Sequence, residues 1–143
     1  MKRTALAAAL AAVFGCPAAA HDFGFAGILS ASNMEELPDL MLSSGKPVSD
    51  GPLVLKSGRG YELTIVSDGT DELGLEGGNF FRAIWINEIV VNDLEIRPYG
   101  IQSVEFDDAG SMEIEFIAIK PGRYDLRIPG TTGASQRVEI TIE

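Results

Sequence analysis

Apolar and polar residues alternate with period two through most of the chain after residue 52, most clearly over residues 112–129, MEIEFIAIKPGRYDLRIP. In the first arm Met112, Ile114, Phe116 and Ala118 share one face and Glu113 and Glu115 the other. In the second, Tyr124, Leu126 and Ile128 are set against Arg123, Asp125 and Arg127. Successive side chains of a strand point to opposite faces, so two half-buried strands are predicted. A loop of Lys120, Pro121 and Gly122 makes them a hairpin that pairs Ala118 with Tyr124, Phe116 with Leu126 and Glu115 with Arg127, with Gly122 as the left-handed residue.

The same period predicts strands over 53–57, 61–67, 94–97, 101–106 and 136–142, with turn signals at 58–60, 68–72, 97–100, 107–110 and 130–135. Residues 79–91, NFFRAIWINEIVV, are apolar on both faces, as a central strand bent near Asn87-Glu88 would be, and carry the single Trp, Trp85. Earlier in the chain the period is different. Met34, Leu37, Leu40 and Met41 recur at helical intervals, Ser32 and Glu35 have capping-box spacing, and Gly45 ends the run. One short helix is expected there, starting near Met34 or at Pro38, where a missing N–H costs nothing. About eight short strands and one helix define an all-β, Greek-key β-sandwich.

Residues 1–20 are set apart by their pattern. Lys2 and Arg3 precede an apolar run that ends at Gly15-Cys16-Pro17, and Ala18-Ala19-Ala20 offers small residues for cleavage. This is the plan of a secretory signal peptide, with residues 21–143 as a single exported domain, periplasmic or secreted. The run is too short to span a bilayer. Cys16 also sits in a loose lipoprotein box, and its acylation would make the chain a lipid-anchored envelope protein. If Cys16 leaves with the signal, no disulfide, thiolate ligand or thiol nucleophile remains.

Charge narrows the partners. Without Lys2 and Arg3, nine Lys and Arg face 21 Asp and Glu, a net charge of about −12. Such a surface repels nucleic acid and anionic lipid, and favours a cationic exported protein or a metal cation. Catalytic signatures are missing: no serine sits in a nucleophile elbow, no Walker lysine follows a glycine loop, and residues 74–78 lack dinucleotide spacing. The carboxylate pairs Asp71-Glu72 and Asp107-Asp108 read as turn residues rather than as acid and base. The expectation is binding without catalysis.

The order alternating strand, Pro-Gly, Tyr, alternating strand, short loop and apolar last strand over 116–142 resembles the carboxy-terminal half of a cupredoxin. Asn79-Phe80-Phe81 is similar to the segment in which cupredoxins place their first histidine ligand. The resemblance spans roughly residues 53–143 and implies the fold. It does not imply blue copper: Asn79 stands in the upstream segment, and residues 129–136 contain no Cys, His or Met. The expected protein is a cupredoxin-like domain lacking type 1 copper ligands, with no cofactor.

Three metal alternatives remain. After cleavage at Ala20, the amine and imidazole of His21 can chelate one copper ion with Asp22 beside them, which would make a periplasmic copper-binding protein. Asp68, Thr70, Asp71 and Glu72, or Asp107 and Asp108, offer oxygen to Ca2+. Met34 and Met41 offer thioethers to cuprous copper, although their spacing suits a core. Finally, Ile117, Ile119, Ile84, Ile86 and Trp85 predict an apolar outer patch, covered by the helix over 34–42 or by a partner. The oligomeric state is left open.

Overall fold

The computed structural model describes residues 24–143. The described chain carries eleven strands: β1 Met34–Glu36, β2 Leu40–Leu42, β3 Leu53–Leu55, β4 Gly60–Ser67, β5 Leu73–Glu76, β6 Ile84–Val91, β7 Leu94–Ile96, β8 Ser103–Phe106, β9 Gly110–Ala118, β10 Gly122–Arg127 and β11 Arg137–Ile142. One short helix, α1 Gly78–Phe81, precedes β6. The larger sheet runs β1-β4-β9-β6-β7, with β2 also on β4, and the smaller runs β3-β11-β10-β5-β8. Both sheets press Leu, Ile and Phe side chains into one core, in which Tyr61, Phe80 and Phe116 are the largest fully buried residues. This is the expected β-sandwich.

The hairpin expected over 112–129 is not formed. Both edges of β9 are taken, by β4 and by β6, so β10 has no ladder to join there and pairs with β11 and β5 in the opposite sheet. Phe116 and Leu126 therefore meet the core from opposite sides, and alternation along a strand cannot tell the two arrangements apart. Gly122 has another use than a left-handed turn. A Cβ on it would lie 2.7 Å from the Tyr124 hydroxyl, which donates to the Lys120 carbonyl at 2.9 Å and ties the crossing.

The segment expected as a helix is two strands, β1 and β2. Both run parallel to β4, at Gly60–Glu62 and at Ile65–Ser67, with Pro38 and Asp39 between them. Proline interrupts a helix but tolerates a break between two edge strands, and edge pairing supplies the backbone partners a helix would have supplied. Leu37 and Leu40 are buried, whereas Met34 and Met41 are only partly so, and the apolar spacing therefore marked core correctly at two of its four positions and its periodicity wrongly. Residues 79–91 divide in the same way: 79–81 complete α1, and only 84–91 form strand.

The bend foreseen near Asn87 is a β-bulge. Register shifts between Ile86 and Glu88, so Ile86 and Ile89 both face the core although they are three positions apart. A regular strand would turn Ile89 outward.

Candidate functional site

Three regions could carry function, and each is set by strand register. The first is the outer face of the larger sheet. One row across it joins Met34, Gly60, Ile117 and Trp85. Gly60 leaves room here, because a Cβ would lie 2.2 Å from Met34 Sδ and 3.1 Å from Ile117 Cδ1 and would push these side chains aside. The missing side chain lets Met34 and Ile117 lie over β4. Ile117 is thereby fully buried yet stands apart from the main core cluster. Beside it Trp85 is 46 % exposed and Ile119 49 %. The Asn33 amide donates to the carbonyls of Ile28, at 2.8 Å, and Gly58, at 3.0 Å, which brings the exposed Ile28 and Leu29 to the same end of the sheet.

The apolar outer patch expected from the sequence is therefore present, with two corrections. Ile86 faces the core and Ile84 packs against it, and the partial cover comes from strand β1 through Met34 instead of from a helix.

The next outward row is acidic. Glu36 lies beside Glu62, Glu62 is paired with Glu115, and Glu115 with Glu88, so four carboxylates follow one another across β1, β4, β9 and β6. Neighbouring strands are about 4.8 Å apart, and like charges directly opposite one another are destabilising. Glu113, one row further on, has its carboxyl raised above the usual carboxylate range, first by burial and then by Glu62. Relief is partial: Arg97 at the rim reaches Glu88 at 2.7 Å and Glu95 at 3.1 Å, and the Asn87 amide donates to Glu115 at 2.8 Å. Sequence reasoning missed this row because each glutamate looked like an ordinary solvent-facing strand residue.

The second region is a carboxylate cluster at the edge of the smaller sheet. Leu73 pairs with Phe106 and Gly74 with Glu105, which sets Glu72 across from Asp107 and brings Glu72, Glu105 and Asp107 oxygens within 4.8 Å of one another. All three are exposed. A hydrogen bond to Glu105 and repulsion from it raise the Glu72 carboxyl. The turn 68–72 abuts the turn 107–109, where a Cβ on Gly69 would lie 2.7 Å from the Ala109 nitrogen. The two acidic turns weighed separately in the sequence thus come together, though only Glu72 and Asp107 meet. Asp68 is used otherwise: Ser43 Oγ donates to it at 2.5 Å and Thr70 Oγ1 at 2.6 Å, and these bonds lower its pKa to about 2. Asp71 and Asp108 accept from the next backbone N–H, of Glu72 and Ala109, as turn residues do.

The third region is where a cupredoxin would hold copper. Asn79 opens on a small cleft with Glu76, Gln102, Asp125 and Arg127, whereas the loop before β11 lines a separate cavity of about 290 Å³ with Ser43, Lys46, Asp71 and Leu73. The upstream segment and the loop do not share a cavity. Residues 24–143 contain neither histidine nor cysteine. Met34 and Met41 cannot share an ion, because they pair with Gly60 and Val66, about 20 Å apart along β4 at about 3.3 Å per residue. His21, Asp22 and Cys16 lie outside the described residues.

No protein-family model matches the sequence, and no curated protein matches it. Solved structures do resemble the fold. A multi-copper oxidase from Pseudomonas thermotolerans superposes with a TM-score of 0.54 at 14% identity, covering 78% of this chain and 30% of that one. A copper nitrite reductase from Nitrosomonas europaea gives 0.50 at 18% identity, covering 67% and 33%. A further multicopper oxidase gives 0.51 at 7% identity, covering 64% and 32%. The chain thus matches about a third of the length of these structures. At such identities the likeness defines the fold class: the chain is a cupredoxin-like β-sandwich.

Proposed function

We propose that the chain is an exported, cupredoxin-like binding or accessory module that acts without a blue-copper centre and without catalysis. The observation that carries this reading is the donor set. Type 1 copper needs imidazole and thiolate, and neither residue type occurs in the sequence after His21. The loop before β11 offers hydroxyl, amide and backbone oxygen, which are donors for hard cations rather than for blue copper. Export rests on residues 1–20, and among the described residues no helix is long and apolar enough to cross a membrane.

The test is purification from the periplasm of a host expressing the whole chain, followed by intact mass, copper loading and absorption spectroscopy. The expected mass begins at His21, and copper loading leaves no intense visible thiolate band. Such a band overturns the reading, as does a mass that retains residues 1–20. A mass carrying acyl chains on Cys16 replaces it with a lipid-anchored protein. A second reading, copper held by His21 and Asp22, rests on the cleavage site that would make His21 terminal. It requires Cu(II) affinity that falls when an Ala precedes His21.

A further inference from the structure

Resting on the reading of the chain as a binding module, we propose that the outer face of the larger sheet is its docking surface, and that the partner is a cationic amphipathic segment of another exported protein. The face has two parallel strips of opposite character. Along one, Trp85 and Ile119 stand about half exposed beside the buried Ile117, with Ile28 and Leu29 at the same end. Along the next, Glu36, Glu62, Glu115 and Glu88 follow one another across four strands. The strips lie two residues apart on β1, β4 and β9, about 7 Å at about 3.3 Å per residue, and three apart on β6, where the bulge intervenes. A helix or strand with one apolar edge and one Lys/Arg edge covers both at once.

Charge complementarity selects this occupant over a second copy. Outside the signal the chain bears a net charge of about −12, so two copies repel. Two of its own arginines on the opposite outer face are committed, since Arg127 bonds Asp125 and Arg137 lies 2.7 Å from Glu139, which leaves Arg123 as a cation there against a row of four glutamates. Among the described residues, the glutamate row itself is reached by one internal cation, Arg97 at Glu88, because the other arginine on the larger sheet, Arg59, pairs with Glu35 outside the row. Docking also covers Trp85, and a half-exposed tryptophan beside fixed charge is the kind of residue that dominates binding energy.

Trp85 is the single tryptophan of the chain, so its emission reports docking directly. The exported protein is titrated with a synthetic amphipathic Lys/Leu peptide, with a Lys/Ser peptide of equal charge, and with Ca2+. The Lys/Leu peptide is expected to saturate with a blue shift of Trp85 emission, binding at least about tenfold tighter than the Lys/Ser peptide. Glu62→Lys with Glu115→Lys is expected to weaken binding at least about tenfold, because the same peptide then meets like charge. Asp50→Lys with Glu143→Lys, which changes net charge equally at exposed sites elsewhere, is expected to weaken it less than about twofold. Trp85→Ala, followed by calorimetry, is expected to cost at least about tenfold.

Equal losses for the two charge-reversed pairs overturn the proposal in favour of general attraction. Equal affinity for the two peptides, an identical spectral change with Ca2+, or Trp85-dependent self-association in sedimentation each overturns the stated occupant. Failure of docking leaves the copper spectrum of the same sample unchanged, and the presence or absence of a copper-thiolate band does not depend on whether the peptide docks. The two readings therefore fail separately.

Discussion

The outer faces of the two sheets are built from the same alternating strands but handle charge in opposite ways. On the smaller sheet, Arg127 bonds Asp125 and Arg137 bonds Glu139, each pair two residues apart on its own strand. Like charges do oppose one another across β10 and β11, Asp125 with Glu139 and Arg127 with Arg137, yet each is neutralised along its strand. On the larger sheet β4, β9 and β6 each place a glutamate in one row, and no strand supplies a cation within it. A face that pairs most of its charges along its own strands has little left to offer a partner. A face that leaves them opposed is less stable alone and better suited to a cationic partner.

Both faces depend on the core between them, and the largest expected effect comes from removing its centre. Phe116 is fully buried, with ring centroids 5.8 Å from Tyr61 and 5.7 Å from Phe80, the latter edge-on. Phe116→Ala is expected to cost about 3–5 kcal/mol in urea unfolding. A loss below about 1 kcal/mol would mean that the sheets do not share this core. The glycines separate the sheets next. A Cβ at Gly74 would lie 2.5 Å from the Val104 carbonyl, which is backbone, whereas at Gly60 the obstruction is the thioether of Met34, which can swing away. Gly74→Ala is therefore expected to cost about 1–3 kcal/mol, and Gly60→Ala less than about 1 kcal/mol, with a change in Trp85 emission as the strip above β4 rearranges. Equal costs would refute the flexible packing inferred for the larger sheet's outer strip.

These contrasts also show what was legible in the sequence. Alternation at Tyr61, Leu63 and Ile65 or at Val138, Ile140 and Ile142 identified buried faces, because burial has the strand's own period. It could not say which strands adjoin, since register and sheet membership depend on which edges are free, and β9 has none. Met34 to Leu42 read as helix because two three-residue strands flanking Pro38 happen to space their apolar residues at three and four. β5 has no strand assignment from the sequence, because Gly74 and Gly77 interrupt any alternation there, although Gly74 is a close backbone approach within a strand. The candidate face was half visible: Trp85, Ile117 and Ile119 by composition, but the glutamate row only once three registers were known.

Charge reversal tests the comparison more finely. Glu62→Lys places a cation opposite Glu115 and next to Glu113, and is expected to stabilise the fold by about 0.2–1 kcal/mol. Glu139→Lys on the smaller sheet removes the partner of Arg137, and is expected to destabilise it by a similar or smaller amount, since that pair is solvent-exposed. Thermal melts at low and high salt check both, and the two shifts are expected to shrink as salt rises. The same sign for both variants would erase the distinction between the faces.

The smallest effect expected is on pH dependence, where the two sheets again contribute through different residues. Glu113 on the larger sheet and Glu72 on the smaller have folded pKa values above the ordinary 4.5, so the folded state holds protons that the unfolded state has released. Their effect is to lower stability as pH rises from about 4.5 through their raised values, and mild acid is expected to stabilise the protein. Asp68 acts with the opposite sign. Its pKa falls from 3.8 to about 2, so its contribution is complete above 3.8 and is lost as pH falls toward 2. Stability is therefore expected to rise as pH falls through the raised values toward about 4.5 and to decline below about 3.8. Glu113→Gln should flatten the rise and leave the decline, whereas Ser43→Ala, which removes a hydrogen bond to the Asp68 carboxylate, should do the reverse. If Glu113→Gln leaves the rise intact and Glu72→Gln abolishes it, the proton belongs to the Glu72–Glu105 pair. The glutamates of the larger sheet would then be less strained than their register implies.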